Sequence, residues 1–92
     1  MTEPRTDPAL ASLRAQVAVV DDEILELVNK RLELVREIRR HKEAGGIPFF
    51  DGDQEARLLA RLREQNGGPL SDEGVETLFR QILELVKREL PG

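Results

Sequence analysis

The 92-residue sequence contains no cysteine, tryptophan or tyrosine, and it has a single histidine. Without cysteine the chain cannot form disulfides or use thiol chemistry, and one histidine leaves a metal centre short of its usual ligands. The three aromatic residues and the net charge of -4 argue against a nucleic-acid surface, which needs a broad positive face. Any anion that binds this chain must therefore meet locally concentrated cations.

Long hydrophobic runs are also missing, and the beginning, MTEPRTDPAL, lacks the basic and apolar regions of a secretory signal. We therefore expect a cytoplasmic protein without a membrane span. A chain of this length predicts one helical domain over residues 1–92, with residues 1–8 as a flexible lead-in. So short a chain has little room for a self-contained core, and help from a partner is expected.

The sequence does contain a long apolar stripe that one charged residue interrupts. Apolar residues recur in alternating steps of three and four, the spacing that keeps side chains on one face of an α-helix. Arg31 occupies one position of this stripe, and a buried ion is costly unless it is paired. The other positions are Leu10, Leu13, Val17, Val20, Ile24, Leu27, Leu34 and Ile38. Arg31 therefore needs a partner on whatever covers the stripe.

The pattern predicts three helices and no strand. The first predicted helix covers Leu10–Glu43 and ends at Gly45, Gly46 and Pro48, where glycine accepts a left-handed conformation and proline cannot continue the helix. Such a helix is about 50 Å long, whereas a compact domain of this size has a radius of gyration of about 12 Å. One copy cannot cover a stripe of that length, so we infer that a second copy does.

The two remaining predicted helices are shorter. The second covers Asp53–Asn66 and follows the loop GGIPFFDG, whose Phe49 and Phe50 we expect to plug the core. Ser71 is the predicted N-cap of the third helix, whose acidic first turn suits the helix dipole and which Pro91 ends. The residues predicted to face inward are Leu58, Leu59, Leu62, Val75, Leu78, Phe79, Ile82, Leu83, Val86 and Leu90.

Three cations of the first predicted helix, Arg14, Arg31 and Lys42, have no carboxylate three or four residues away. Arg31 and Lys42 are eleven residues apart, so they point the same way about 16 Å apart and can hold one small molecule. Arg14 lies about 25 Å from Arg31 along the helix and can contribute only from a second, antiparallel copy. Four other cations have such a carboxylate and are predicted to form a solvated face: Lys30, Arg36, Arg39 and Arg40.

Simpler explanations exist for each of these residues. A buried arginine such as Arg31 can merely fix register and oligomeric state, and Lys42 can act as a partner of the helix dipole. Asp53 suits ordinary N-terminal capping of the second helix. Asp51 and Glu55, four residues apart, can offer hydrogen-bond acceptors near the cations. Two cations and two carboxylates facing one pocket suggest an anionic ligand that also has a hydroxyl group.

The segment ALASLRAQVAVVDDEILELVNKR, followed by ELVREIRRHKEAGGIPFFDGDQE, resembles the all-helical (AroQ-class) chorismate mutases. The resemblance is ungapped from Leu10 through Leu62. It implies an all-α fold with three helices per chain, one long and two shorter, in an intertwined homodimer. The residues that match the family motifs are Leu13, Arg14, Asp21, Lys30, Arg31, Lys42, Gln54 and Glu55.

The resemblance also implies a reaction, the Claisen rearrangement of chorismate to prephenate in aromatic amino-acid biosynthesis, and a site for it. Arg31 and the other subunit's Arg14 would bind the two carboxylates of chorismate. Lys42 would donate to the ether oxygen, while Asp51 and Glu55 would hold the ring hydroxyl. The reaction needs no proton transfer, nucleophile or cofactor, so the site must confine a reactive conformation and stabilise charge on the ether oxygen.

The chain departs from the family pattern in two regions. Gln54 stands where better-known members have an arginine, and Arg57 is a candidate replacement, although Asp53 is its obvious surface partner. Both Gln54 and Arg57 are therefore candidate substrate-binding residues. Val86 and Leu90 stand where the family places a serine and a glutamine. We therefore predict a weak mutase, either assisted by a partner enzyme of the aromatic pathway or part of a larger fused chain.

Two alternatives stay open from the sequence. One is a non-catalytic helical dimer with an adaptor or regulatory role. The other is an isochorismate pyruvate-lyase of the same family, whose pocket would look similar and which only product analysis separates from the mutase.

Overall fold

A computed structural model describes residues 7–49 and 51–90 and shows three helices. Helix α1 is Pro8–Ala44, helix α2 is Gly52–Gln65 and helix α3 is Asp72–Glu89. Across these described ranges there is no strand. The prediction of an all-α chain with one long and two shorter helices is therefore confirmed.

Helix α1 begins two residues before the predicted Leu10. The Asp7 carboxylate accepts hydrogen bonds from the N–H groups of Ala9 and Leu10, at 2.9 and 3.3 Å, which is the usual N-cap arrangement. Pro8 takes the first helical position, where its missing N–H costs nothing. Of the predicted lead-in, residues 1–6 lie outside the described residues, whereas Asp7 and Pro8 belong to the cap and the helix.

The C-terminal end of helix α1 is a Schellman motif. Gly46 has a φ of 68°, the left-handed conformation that glycine adopts without steric penalty. The Ile47 N–H donates to the Lys42 carbonyl at 2.7 Å, and the Gly46 N–H donates to the Glu43 carbonyl at 3.2 Å. These two bonds satisfy carbonyl groups that the end of a helix otherwise leaves unpaired. The predicted glycine stop is confirmed, and it places Lys42 in the last turn.

The chain divides into two compact units, Met1–Arg31 and Leu32–Gly92, with the division inside helix α1. The described part of the first unit is helical from Pro8 onward and buries none of its residues. Its apolar stripe, from Leu10 to Leu27, has side chains that are 44–63% exposed. The chain by itself therefore leaves this stripe uncovered.

The second unit contains the hydrophobic core, which lies where α2 packs on α3. Its buried apolar residues are Leu59, Val75, Val86 and Leu90. Leu78 was predicted to face inward but is 48% exposed, because it lies about 80° around helix α3 from Val86. The remaining predicted core residues of these helices are half-buried: Leu58, Leu62, Phe79, Ile82 and Leu83.

Polar contacts join α2 to α3 beside this core. Arg63 of α2 lies 3.7 Å from the Glu76 carboxylate of α3, and Arg80 donates to the same carboxylate at 2.7 Å. The hydrogen bond from Arg80, together with the charges of Arg80 and Arg63, holds the pKa of the Glu76 carboxyl below its ordinary value. The predicted N-cap Ser71 is confirmed, since its hydroxyl accepts from the Gly74 N–H at 3.0 Å.

Among the described residues, no helix has both the length and the apolar character needed to cross a membrane.

Candidate active site

Lys42 is held by the loop that follows its own helix. Its ammonium group donates to the Phe49 carbonyl oxygen at 3.2 Å, and the side chain is half-buried. An ammonium group has three donors, so this bond leaves capacity for a ligand. Lys42, the predicted partner of the helix α1 dipole, therefore also has a specific contact with the loop, and this contact fixes the direction of the flexible Lys42 side chain.

Arg39, three residues before Lys42, was predicted to lie on the solvated face, and that prediction is wrong. The side chain is only 16% exposed. Its guanidinium lies over the Phe49 ring, 5.3 Å from the ring centroid, and donates to the Leu90 carbonyl oxygen at the end of helix α3. The expected partner is also present, because Glu43 accepts from Arg39 at 3.2 Å.

Sequence reasoning missed Arg39 because its nearby Glu43 accounted for the charge. One signal was available. Leu32, Val35, Arg39 and Lys42 are spaced by three, four and three residues, and all four are half-buried in the structure. Arg39 thus lies on the covered side of the helix. The neighbouring Arg40 does behave as predicted, pairing with Glu37 at 3.1 Å while 65% exposed.

Asp51 is the N-cap of helix α2. One carboxylate oxygen accepts from the Asp53 and Gln54 N–H groups at 3.0 and 3.3 Å, and the Asp51 backbone is extended, as a cap residue requires. The capping role expected of Asp53 therefore belongs to Asp51, and Asp53 stands in the acidic first turn with Glu55. Asp51 is consequently a structural residue whatever it contacts in a ligand.

Arg57 is held by two of the other candidate residues. Its guanidinium donates to the Gln54 side-chain oxygen at 2.9 Å and lies 4.0 Å from the second carboxylate oxygen of Asp51. The expectation that Asp53 would be its surface partner is wrong, because the cap turns the Asp51 side chain toward the first turn of the helix. Arg57 and Asp51 remain 66% and 48% exposed, so the ion pair is weak.

Glu55, in the first turn of α2, is half-buried. Its N–H donates to the Asp51 carbonyl at 3.3 Å, which places Glu55 one turn after the cap. The structure thus brings Asp51, Gln54, Glu55 and Arg57 together on the first turns of α2. Lys42 belongs to the same compact unit, at the other end of the connecting loop.

Arg31 and Arg14 belong to the first unit. The Arg31 side chain has one terminal nitrogen, Nη1, that is shielded from solvent and has no hydrogen-bond partner, and no other described side chain has such an atom. A buried donor without an acceptor is costly, and the cost is larger for a charged group. Arg14 is exposed. Since 17 residues separate it from Arg31, the two guanidinium groups lie about 25 Å apart along one helix and do not meet within one chain.

The structure thus defines a small all-helical protein with an uncovered apolar stripe and an arginine, Arg31, whose Nη1 is shielded from solvent and has no acceptor. Comparison with known proteins gives a family for it. The model of the family described as chorismate mutase type II matches residues 13–89. That match covers most of the chain, which therefore belongs to the chorismate mutase type II family.

Individual relatives agree with this assignment. A chorismate mutase from Thermus thermophilus superposes with a TM-score of 0.82 at 37% sequence identity, covering 85% of this chain and 98% of that one. A chorismate mutase from Methanocaldococcus jannaschii is 30% identical over 74 residues, which are 80% of this chain and 75% of the relative.

Longer relatives match as well. The bifunctional chorismate mutase/prephenate dehydratase of Neisseria gonorrhoeae is 34% identical over 77 residues, or 84% of this chain. This chain spans only about a fifth (21%) of that protein's length.

Proposed function

We propose that this chain is a chorismate mutase, which converts chorismate to prephenate by an intramolecular Claisen rearrangement in aromatic amino-acid biosynthesis. The observation that most supports the proposal is the unpaired, buried Nη1 of Arg31 in a chain of this family. A guanidinium offers paired donors that match a carboxylate. A carboxylate of the substrate would supply the acceptor that Arg31 lacks in the chain alone.

The active form is a homodimer in which the long helices of two intertwined copies cover one another. The exposed stripe of helix α1 supports this arrangement, because apolar side chains on so long a helix are stable in water only when a partner covers them. The two carboxylates of the substrate are bound by Arg31 of one copy and Arg14 of the other. Arg14 is an exposed guanidinium beside the stripe, so an antiparallel partner helix can receive it.

Lys42 is the donor to the ether oxygen. The carbon–oxygen bond of the ether breaks in the transition state and leaves negative charge on the oxygen, which a fixed ammonium group stabilises more than it stabilises the uncharged ether. The hydrogen bond from Lys42 to the Phe49 carbonyl supports this role, because it holds the side chain before the ligand arrives. Confinement of the substrate in the reactive conformation supplies the rest of the rate increase.

The ring hydroxyl is held by Glu55 and Asp51 at the beginning of α2. Glu55 is half-buried and supplies the direct acceptor, whereas one carboxylate oxygen of Asp51 already accepts the hydrogen bonds of the helix cap. Gln54 and Arg57 form the adjoining wall. Arg57 donates to the Gln54 side-chain oxygen, and its guanidinium gives this wall a positive charge in place of the arginine that the family pattern has at position 54.

We expect this mutase to be weak by itself, because the apolar Val86 of α3 and Leu90, the C-cap of that helix, stand where the family has polar groups, and both are buried in the core. Assistance would come from a second enzyme of the same biosynthesis, either as a separate partner or within a larger fused chain. The reaction is placed in the cytoplasm, where its small charged substrate and product remain in solution, and it uses no cofactor.

The test is chorismate consumption by the purified chain, with the product identified by chromatography. We expect prephenate, and Lys42→Ala should reduce kcat by roughly a hundredfold to a thousandfold, the effect of removing one preorganised donor. Arg40→Ala is the matched control, because Arg40 is an exposed cation of the same helix. Pyruvate as product would refute the mutase assignment, and unchanged turnover in Lys42→Ala would refute the role of Lys42.

A further inference from the structure

Phe49 contacts two cations of helix α1 with two different parts of its structure. The face of its ring lies under the Arg39 guanidinium, and its carbonyl oxygen accepts the hydrogen bond of the Lys42 ammonium. The direction in which Lys42 points therefore depends on where the Phe49 backbone is held. The ring is the part of Phe49 that Arg39 can fix.

Arg39 is itself fixed at three points within the second unit. Glu43 accepts from it on the next turn, the Phe49 ring lies beneath it, and the Leu90 carbonyl accepts from it at the end of α3. Only a planar guanidinium can stack on a ring and donate in its own plane at the same time. A lysine at this position would keep the charge but lose the simultaneous contacts.

We infer that Arg39 is the positioning residue for Lys42, acting through Phe49. Arg39 holds the Phe49 ring against helix α1 and is itself tied to the Leu90 carbonyl at the end of α3, and in this way it fixes the carbonyl that aims the Lys42 ammonium. The Glu43 carboxylate balances the charge of Arg39, so that two cations three residues apart on one helix face do not simply repel. This inference rests on the proposed function only because that function assigns a substrate contact to Lys42.

The kinetic test compares Arg39→Lys with the wild type and with Arg40→Lys as the matched control. We expect Arg39→Lys to lower kcat about tenfold with little change in KM, because a misdirected donor weakens an interaction that forms mainly in the transition state. Arg40→Lys should behave as the wild type. In a Lys42→Ala background, Arg39→Lys should have no further effect, because the donor that Arg39 positions is absent and two residues that act as a unit are not additive.

An equal fold-loss from Arg39→Lys in both backgrounds would mean that Arg39 acts on the whole structure, and would overturn the inference. So would an unchanged kcat in Arg39→Lys. Phe49→Leu serves as the second variant because it removes the ring and keeps the carbonyl. It should reproduce the kcat loss of Arg39→Lys, and a wild-type kcat in this variant would contradict the role given to the ring.

A readout without substrate separates this inference from the proposed function. In the proton NMR spectrum, the two ε-methylene protons of a fixed lysine have different chemical shifts. We expect this difference for Lys42 in the wild type and in Arg40→Lys, and its collapse in Arg39→Lys. A difference that persists in Arg39→Lys overturns the positioning role even if the protein is a mutase. A collapse in a protein that does not convert chorismate refutes the proposed function and supports the positioning role.

Discussion

Three arginines of the described residues, Arg39, Arg57 and Arg31, have different physical environments. Arg39 is nearly covered, and its positive charge is met by a ring, a carbonyl and a carboxylate. Arg57 is exposed and loosely held by Gln54 and Asp51. Arg31 has a buried nitrogen with no acceptor at all. Only the third arrangement costs free energy that a ligand can recover, so under the proposed function the replacement of Arg31 separates binding from folding.

We expect Arg31→Met to lower kcat/KM by about a hundredfold or more, since charge-assisted hydrogen bonds to a carboxylate contribute about 1.5–3 kcal/mol each. The free energy of unfolding without ligand should not fall, because methionine keeps the apolar stem and removes a buried, unpaired donor. Initial rates and urea denaturation measure the two effects. Arg36→Met, on the exposed side of the helix, is the control for both.

Retained activity in Arg31→Met would remove Arg31 from the binding site. A large loss of stability in this variant would mean instead that the guanidinium has a structural partner in the assembled protein.

The residue scale also shows where local sequence reasoning reached its limit. The rule that compares a cation with carboxylates three or four positions away identified Arg31 and Lys42 as cations without a carboxylate partner on their own helix, because such a partner would be local. The same rule misplaced Arg39, whose deciding contacts are with Phe49 and Leu90. Leu90 is 51 residues away in sequence, and spacing along one helix says nothing about such a pair.

At the scale of helices, the ends could be predicted better than the packing. Gly46 and Ser71 were predicted correctly because a left-handed turn and an N-cap are local requirements. The cap of α2 was assigned to Asp53 although Asp51 makes it. Aspartate can cap at either position, and only the extended backbone at residue 51 decides between them. The exposed Leu78 was missed because the sequence shows which residues form the apolar face of a helix, but not how much of that face other helices cover.

The N-cap of α2 gives a prediction that separates folding from binding. Asp51→Ala should lower the free energy of unfolding by about 1 kcal/mol, whereas Asp51→Asn should keep it nearly unchanged, because asparagine caps as well as aspartate. Thermal denaturation followed by circular dichroism measures both. Asp53→Ala is the control, with a smaller loss of about 0.3–0.5 kcal/mol from the helix dipole.

The same pair of variants reports on the substrate. If the Asp51 carboxylate helps to hold the ring hydroxyl, Asp51→Asn will raise KM at unchanged stability. Equal destabilisation by Asp51→Ala and Asp51→Asn would contradict the capping role.

The contact between α2 and α3 predicts a pH dependence. The folded pKa of Glu76 is lowered by the hydrogen bond and charge of Arg80 and by the charge of Arg63. Its stabilisation is therefore fully present above the ordinary pKa of 4.5 and is lost as the pH falls through the lowered folded pKa. Glu76→Gln should lower Tm slightly at neutral pH, and this difference should disappear at acid pH.

In an Arg80→Gln background the effect of Glu76→Gln should shrink, since its main partner is gone. A difference in Tm that is the same at neutral and acid pH would show that packing, not charge, is responsible.

At the scale of the whole molecule, the proposal requires that each site be shared between two copies, and subunit mixing tests this directly. Arg14→Ala and Arg31→Ala homodimers should each be inactive, because every site in them lacks one guanidinium. A heterodimer of the two variants has one site with both arginines and one site with neither. Random exchange at equal concentrations should therefore restore about a quarter of the wild-type number of sites.

Initial rates after unfolding and refolding the mixture together measure this recovery, with the separately refolded variants as controls. Because about 25 Å separates Arg14 from Arg31 along one helix, a site within one chain has no means of regaining activity in this way. Absence of recovery in a mixture shown by sedimentation to contain dimers would thus refute the shared site.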